Sequence, residues 1–216
     1  MEKNFSETLR EIVEEHQASE LIFLSKVISS LSERTGLPLS RVSSIAKANL
    51  SGMTRKDALR RFERGVYMKT VDGVFGKTTR MTQNQYWLSR LLVAKGSPIG
   101  YLTGPTALNN TGLSTMVPAA RHIATNRYRI RLPKNTQLAL HKPLTSVDAG
   151  NVRYVQFLHL LQAVRRYHVD AENPTLIFVR LVQQLDLNPL RLESICQEIG
   201  TKSMLHDLLV VLHAVP

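Results

Sequence analysis

The first fifty residues carry three apolar stripes at helical spacing. The stripes consist of Leu9, Ile12 and Val13, then Leu21, Leu24, Ile28 and Leu31, then Val42, Ile45, Ala46 and Leu50. Spacings of three and four predict an amphipathic helix for each stripe. Ser6 is expected to cap the first helix. The second helix is predicted from about Ser19 to Glu33, ahead of the breakers Gly36 and Pro38. The third is predicted from Ser40 to Gly52.

A short basic hairpin is predicted directly after these helices. The segments 59–63 and 66–69 flank Arg64 and Gly65, and glycine can adopt the positive φ that a tight turn requires. A basic hairpin that follows two helices is typical of a winged helix-turn-helix, so residues 1–69 are predicted to form such a DNA-binding domain. The alternative is a solvated hairpin whose arginines only protect an edge strand from aggregation.

The face of the third helix opposite its apolar stripe is small, polar and cationic. It carries Arg41, Ser44, Lys47, Ala48 and Ser51. A recognition helix needs such a face, because bulky groups keep a helix out of the major groove and carboxylates repel phosphates. An ordinary amphipathic helix is the alternative. The predicted DNA-binding residues are Arg41, Ser44, Lys47, Arg55, Lys56, Arg60, Arg61, Arg64 and Lys69.

Residues 70–216 have a different pattern, which predicts an α/β domain with a helical tail from about 171 to 216. A connector is expected over 70–77. The other predicted elements are a helix over 82–93, a strand turning into a helix at 101–106, strands over 121–132 and 136–141 joined across 133–135, a helix over 155–167, and helices near 174–185, 189–199 and 203–213. The predicted fold class is therefore α/β (α+β).

The charge of the chain favours an acidic partner. The 216 residues carry a net charge of +11, and residues 34–69 hold nine Lys and Arg residues against only Asp57 and Glu63. Double-stranded DNA is the expected partner. No long apolar run or bulky amphipathic face predicts membrane binding. The N-terminus lacks a signal-peptide pattern, and the single cysteine, Cys196, is expected to be buried, so a cytoplasmic location is expected.

Two stretches resemble one family. The segments ALRRFERGVYMKT and GYLTGPTALNNTGLSTMVPAARHIATNRYRIRL are similar to the AbiEi-type antitoxins of abortive-infection (type IV) toxin–antitoxin systems, and the resemblance extends from about Phe23 to Tyr167. It implies a winged helix-turn-helix followed by an α/β antitoxin domain. It also implies repression of the protein's own operon and neutralisation of a cognate nucleotidyltransferase-like toxin.

The basic second domain offers cations for such a partner. Arg127, Arg129, Arg131, Arg165 and Arg166 have few carboxylates near them in sequence, so they are expected to meet an acidic protein surface or to extend the DNA track. A mobile-element or phage transcriptional regulator without a toxin partner is the alternative function. The oligomeric state does not follow from the sequence.

The sequence contains only weak matches to patterns of catalytic, nucleotide-binding or metal sites. Residues 76–79 (GKTT) resemble the end of a phosphate-binding loop, but Val71 stands where that pattern needs its first glycine. His159 and His168 are nine residues apart, which does not suit a helical metal pair. We therefore expect a non-enzymatic protein without cofactor or metal, and a nucleotide-using enzyme remains the alternative from another class.

Overall fold

A computed structural model describes residues 5–215 as a mixed α/β (α+β) protein that divides into two units between Tyr86 and Trp87. The sequence placed the boundary at Lys69, whereas the structure assigns residues 70–86 to the first unit. The first unit contains α1 (Phe5–Glu15), β1 (Ile22–Phe23), α2 (Leu24–Thr35), α3 (Leu39–Arg55), β2 (Leu59–Glu63), β3 (Val66–Lys69), β4 (Val71–Gly73) and β5 (Gly76–Thr78). The chain continues through α4 (Gln83–Leu92), which spans the boundary, β6 (Val93–Ala94), β7 (Ser97–Pro98), β8 (Gly100–Leu102), α5 (Gly104–Asn110), β9 (Arg121–Thr125), β10 (Leu138–His141), α6 (Val152–Val164), α7 (Pro174–Gln184), α8 (Pro189–Ile199) and α9 (Lys202–His213).

Helices α1 and α3 bury most of the apolar stripes that their spacing predicts, but α2 does so only in part. Of its predicted stripe, Leu31 is buried, Leu24 and Ile28 are half-buried against the core, and Leu21 precedes the helix. Val27, which lies outside the predicted stripe, is fully buried. The shared core contains Leu9, Ile12, Val13, Val27, Leu31, Val42, Ala46 and Leu50. Each helix contributes residues three or four apart, which places them on one face. The predicted cap is wrong, because Ser6 lies inside α1.

The start of α2 differs from its prediction because a short strand precedes it. Ile22 is fully buried and pairs with Tyr67 of β3, so the chain is extended where a helix from Ser19 was expected. A two-residue strand shows no periodicity, and its pairing depends on residues far along the chain. The predicted stop is confirmed, since Gly36 adopts a φ of 69° and its N–H donates to the Ser32 carbonyl.

Helix α3 continues past Gly52, where the sequence predicted its end. Gly52 has a negative φ, and Met53 on the next turn packs against the core of the first unit. The helix ends at Arg55, and Asp57 then takes a φ of 52°. A glycine inside a helix weakens it without ending it.

Strands β2 and β3 form the predicted hairpin, and β1 completes an antiparallel sheet of order β1-β3-β2. Gly65 has the expected positive φ, 81°. The register shifts around Phe62, which forms a bulge in β2. Leu59 and Phe62 are therefore both buried although they are three residues apart, and Arg60 and Arg61 between them are both exposed.

A second hairpin replaces the connector that the sequence predicted over 70–77. Strands β4 and β5 pair antiparallel, with Val71 opposite Thr78 and Gly73 opposite Gly76. The hairpin starts at the base of the first one, where the Thr70 N–H donates to the Ala58 carbonyl. Its side chains are almost all exposed, so no alternation of apolar and polar residues marks its strands in the sequence.

Residues after the second hairpin belong to the first unit because they bind its bulged strand. The Gln83 amide donates to the Phe62 carbonyl at 2.7 Å, and the Tyr86 hydroxyl donates to the Glu63 carboxylate. The rings of Phe62 and Tyr86 lie 5.0 Å apart.

The second unit contains a sheet of order β10-β9-β8. The predicted strand over 121–132 is wrong in its second half, because β9 ends at Thr125 and a turn follows. The expected hairpin across 133–135 is also wrong, since β10 pairs with β9 in parallel. The connection over 126–137 is long enough to return the chain to the start of β9, which a parallel pair requires. The predicted turn from a strand into a helix at 101–106 is confirmed by β8 and α5.

The helical tail is part of the core of the second unit. Phe157 of α6 packs against Phe178 of α7 with ring centroids 5.5 Å apart, and Leu192 and Leu208 join the same cluster. Cys196 is buried there, as predicted. The three predicted tail helices are confirmed as α7, α8 and α9, within one residue at their ends.

Candidate nucleic-acid interface

The outer face of α3 is as open as its sequence predicts. The side chains of Arg41, Ser44, Lys47, Ala48 and Ser51 are all exposed, and the apolar face opposite them is buried. Neither Arg41 nor Lys47 has a carboxylate within 4 Å among residues 5–215. Both cations are therefore available to an external anion.

The first hairpin presents three more unpaired cations. Arg60, Arg61 and Arg64 are exposed, and none pairs with a carboxylate in the described part of the chain. The bulge at Phe62 directs two consecutive arginines to solvent on an edge strand. The hairpin thus concentrates positive charge that has no internal counterion.

The turn of this hairpin lies against the start of α2. The Leu24 N–H donates to the Gly65 carbonyl at 2.8 Å, and a Cβ on Gly65 would stand 3.5 Å from that of Leu24. Arg64 therefore lies close to the positive end of the α2 dipole. Lys26 is exposed in the first turn of the same helix, with its Nζ 5.8 Å from the Phe23 ring centroid. Sequence analysis missed Lys26, because only the sheet pairing brings α2 to the hairpin turn.

Lys69, which the sequence predicted as a DNA-binding residue, makes a contact within the first unit. Its Nζ donates to the Glu14 carbonyl at 2.7 Å, at the C-terminal end of α1. A cation there satisfies an otherwise unpaired carbonyl and interacts favourably with the helix dipole. Lys69 is therefore a structural residue that links β3 to α1.

Arg55 and Lys56 lie where α3 meets the two hairpins. Both side chains are exposed. The Thr70 hydroxyl donates to the Asp57 carbonyl, and its N–H to that of Ala58, so the base of the second hairpin is fixed beside the end of α3. Arg55 and Lys56 therefore lie in the same region of the first unit as the exposed Lys77 of the second hairpin.

The predicted partner-binding cations of the second unit do not form one set. Arg127, Arg129 and Arg131 are exposed after β9, with the Arg129 guanidinium 5.3 Å from the Tyr128 ring centroid. Arg165 instead binds both carboxylate oxygens of Asp207, at 2.5 and 2.6 Å. The expectation that Arg165 lacks a carboxylate partner is therefore wrong. The sequence did not reveal the pair, because α7 and α8 separate Arg165 from Asp207 along the chain.

Arg166 lies beside a small histidine cluster in the second unit. It lines a cavity with His141, His159 and Tyr167. The His141 Nε2 and His122 Nδ1 atoms are 2.8 Å apart, so one ring donates to the other. Burial lowers the pKa of all three histidines, that of His159 to about 4.

The histidine cluster carries no recognisable metal chemistry. Over residues 5–215, no group of three or more His, Cys, Asp or Glu side chains is placed to hold a metal ion. The phosphate-loop look-alike has the wrong geometry, because Gly76 and Lys77 lie in β5 and the next helix, α4, begins only at Gln83.

Comparisons with known proteins add no family assignment. No protein-family model matches the chain, and no curated protein resembles it closely enough to be a relative. Among the described residues, no helix has the length and apolar character needed to cross a bilayer.

Proposed function

We propose that the chain is a DNA-binding transcriptional autorepressor and antitoxin. Its first unit is proposed to be a winged helix-turn-helix domain that binds duplex DNA. Its second unit is proposed to neutralise a nucleotidyltransferase-like toxin.

The topology of the first unit supports the DNA-binding part. Its elements follow the order α1-β1-α2-α3-β2-β3, with a sheet of order β1-β3-β2. A short loop containing Gly36 joins α2 to α3, as in a helix-turn-helix, where the second helix enters the major groove. The observation that carries the proposal is the outer face of α3, which is fully exposed and free of carboxylates, next to a hairpin of unpaired arginines.

Two substitutions on α3 test sequence recognition. Arg41→Ala and Lys47→Ala should each reduce the preference for the promoter duplex over a scrambled duplex, by about 1–3 kcal/mol where the side chain contacts a base edge. Fluorescence anisotropy with both duplexes measures this preference. Arg180→Ala removes the same charge from an exposed position on α7 of the second unit and is the charge-matched control. An unchanged preference in both α3 variants means that α3 is not the recognition helix.

The antitoxin part rests on the resemblance over residues 104–118. In the second unit this stretch forms α5 and a loop that Asp170 holds in place. The Asp170 carboxylate accepts hydrogen bonds from the Thr115 N–H at 3.0 Å and from its hydroxyl at 2.7 Å. The loop leaves Met116 and Val117 exposed, so it offers an ordered surface with apolar side chains.

Separate expression of the two units tests the division of labour. A fragment that begins at Thr79 keeps α4 whole and contains the complete second unit. It should protect cells against a nucleotidyltransferase-like protein encoded beside it, without repressing the promoter. Protection by residues 1–86 would reverse the assignment. If the full chain represses the promoter but protects against no neighbouring protein, the mobile-element alternative is correct.

A further inference from the structure

The tip of the second hairpin exposes two large apolar side chains. Val74 and Phe75 are 93% and 103% exposed, the highest values among the exposed large hydrophobic residues of the described chain. Isolated apolar residues on a surface are common, but two consecutive ones at a protruding tip mark an interaction site. No described contact within the chain accounts for them.

The hairpin holds this tip in a defined position. Its strands pair over three residues each, and Gly76 adopts a φ of 107° that a side chain would oppose. A Cβ on Gly73 would stand 3.0 Å from the Gly76 carbonyl oxygen. The turn is therefore closed tightly by the two glycines, and Thr70 anchors its base beside the end of α3.

The surroundings of the tip are cationic. Lys77 and Arg80 are exposed and form no ion pair within 4 Å among residues 5–215, although Lys77 stands opposite Asp72 in the hairpin register. Arg55 and Lys56 lie at the base. The acidic residues of this region are Asp57 and Asp72. An apolar tip with cationic flanks suits duplex DNA. Its phosphates supply the negative charge, and its stacked base pairs supply flat apolar surfaces.

We propose that Phe75 is a wedge that enters the minor groove of duplex DNA and partly unstacks one base step. This inference rests on the proposed DNA-binding function. With α3 in the major groove, the second hairpin would reach the adjacent groove, and its cations would contact the flanking phosphates. Such wedges bend the duplex, so the protein kinks its own promoter.

A comparison of Phe75 variants in the full chain tests the wedge. Phe75→Ala should weaken binding to the promoter duplex roughly 10-fold, in the range expected for one stacking contact. The salt dependence of binding should not change, because the substitution removes no charge. The bend, measured by energy transfer between dyes at the duplex ends, should decrease. Phe75→Trp should keep both the affinity and the bend, and melting temperatures should match the wild type because the side chain is fully exposed.

The outcomes separate this inference from the function on which it rests. If the wild type binds no duplex, the proposed function fails, and the wedge with it. If Phe75→Ala binds and bends DNA like the wild type, only the wedge fails. Two further assays cover the other uses of an apolar tip. A loss of binding to phosphatidylserine vesicles, or of self-association in sedimentation, with DNA bending unchanged, would assign Phe75 to a membrane or to a second copy instead.

Discussion

The salt dependence of DNA binding follows from the cations that the structure leaves unpaired. Arg41, Lys47, Arg60, Arg61 and Arg64 are exposed and have no ion-pair partner in the described chain. If these five cations neutralise about five phosphates, they contribute roughly −4 to −5 to the slope of the logarithm of the affinity against the logarithm of the salt concentration. Each phosphate bound by the cations beside the second hairpin adds about −0.9 to that slope. For these five contacts alone, a rise from about 50 to 200 mM salt weakens binding by about 500-fold.

Removal of the hairpin arginines should reduce that slope by a calculable amount. Each phosphate contact contributes about 0.9 to the slope, so a triple substitution of Arg60, Arg61 and Arg64 by alanine should make the slope less steep by about 2.7. The affinity should fall similarly for all duplexes, because contacts to phosphates carry no sequence information.

Lys69→Ala provides a matched control in the same hairpin. It removes one positive charge, as each of the three arginine substitutions does, but its ammonium group binds the Glu14 carbonyl, so the slope should stay at the wild-type value. Anisotropy titrations at four salt concentrations measure all three proteins, with melting curves to confirm folding. A flat salt dependence in the wild type would refute DNA binding. A change in slope for Lys69→Ala as large as one third of the change in the triple variant would refute the placement of the interface.

Three further predictions concern the stability of the protein. The pKa of His159 is lowered to about 4 by burial, so the unfolded chain binds a proton that the folded chain excludes between pH 6.5 and about 4. Stability should fall as the pH falls through this window, and His159→Gln should flatten the fall in denaturant titrations. Hydrogen bonds from Thr115 lower the pKa of Asp170, so Asp170→Asn should increase hydrogen exchange of the 114–118 loop at neutral pH, with less effect below pH 3.8. Gly100→Ala should cost about 1–3 kcal/mol or more, because its Cβ would meet carbonyl oxygens at 2.4 and 2.7 Å, whereas Gly52→Ala has open space and should be neutral or stabilising in thermal melts.

Local periodicity predicted the helices well because it records which face of each helix is buried. The stripe from Val42 to Leu50 is an example, since Val42, Ala46 and Leu50 are buried and only Ile45 is half-exposed. Periodicity failed where structure depends on distant pairing. The strand Ile22–Phe23 exists only because β3 lies beside it. The alternation of residues continues beyond Thr125, so β9 was predicted too long, and its parallel pairing with β10 was not predicted.

The sequence predicted the types of residue in the candidate interface better than it predicted which individual cations are free to contribute to it. Arg41 and Lys47 lie opposite an apolar stripe, and that position alone implies exposure. Lys69 and Arg165 have the same charge but bind partners far away in sequence, which no local pattern reveals. Phe75 was overlooked because it belongs to no apolar stripe, so the sequence gives no indication of whether its side chain is buried or exposed.

The acidic N-terminal helix helps to decide which cations of the first unit can reach a partner. Glu15 at the end of α1 binds the Arg34 guanidinium with both carboxylate oxygens, at 2.6 and 2.8 Å, and the Glu14 carbonyl binds Lys69. These two cations are thereby used to fasten α2 and β3 to α1. Among residues 5–215, the exposed cations of α3 and of the bulged strand have no such partner, and the two elements contact each other, so their positive charge lies on neighbouring surfaces. An electrostatic field of this kind attracts DNA before any base is contacted, and the exposed face of α3 then has the freedom to select a sequence.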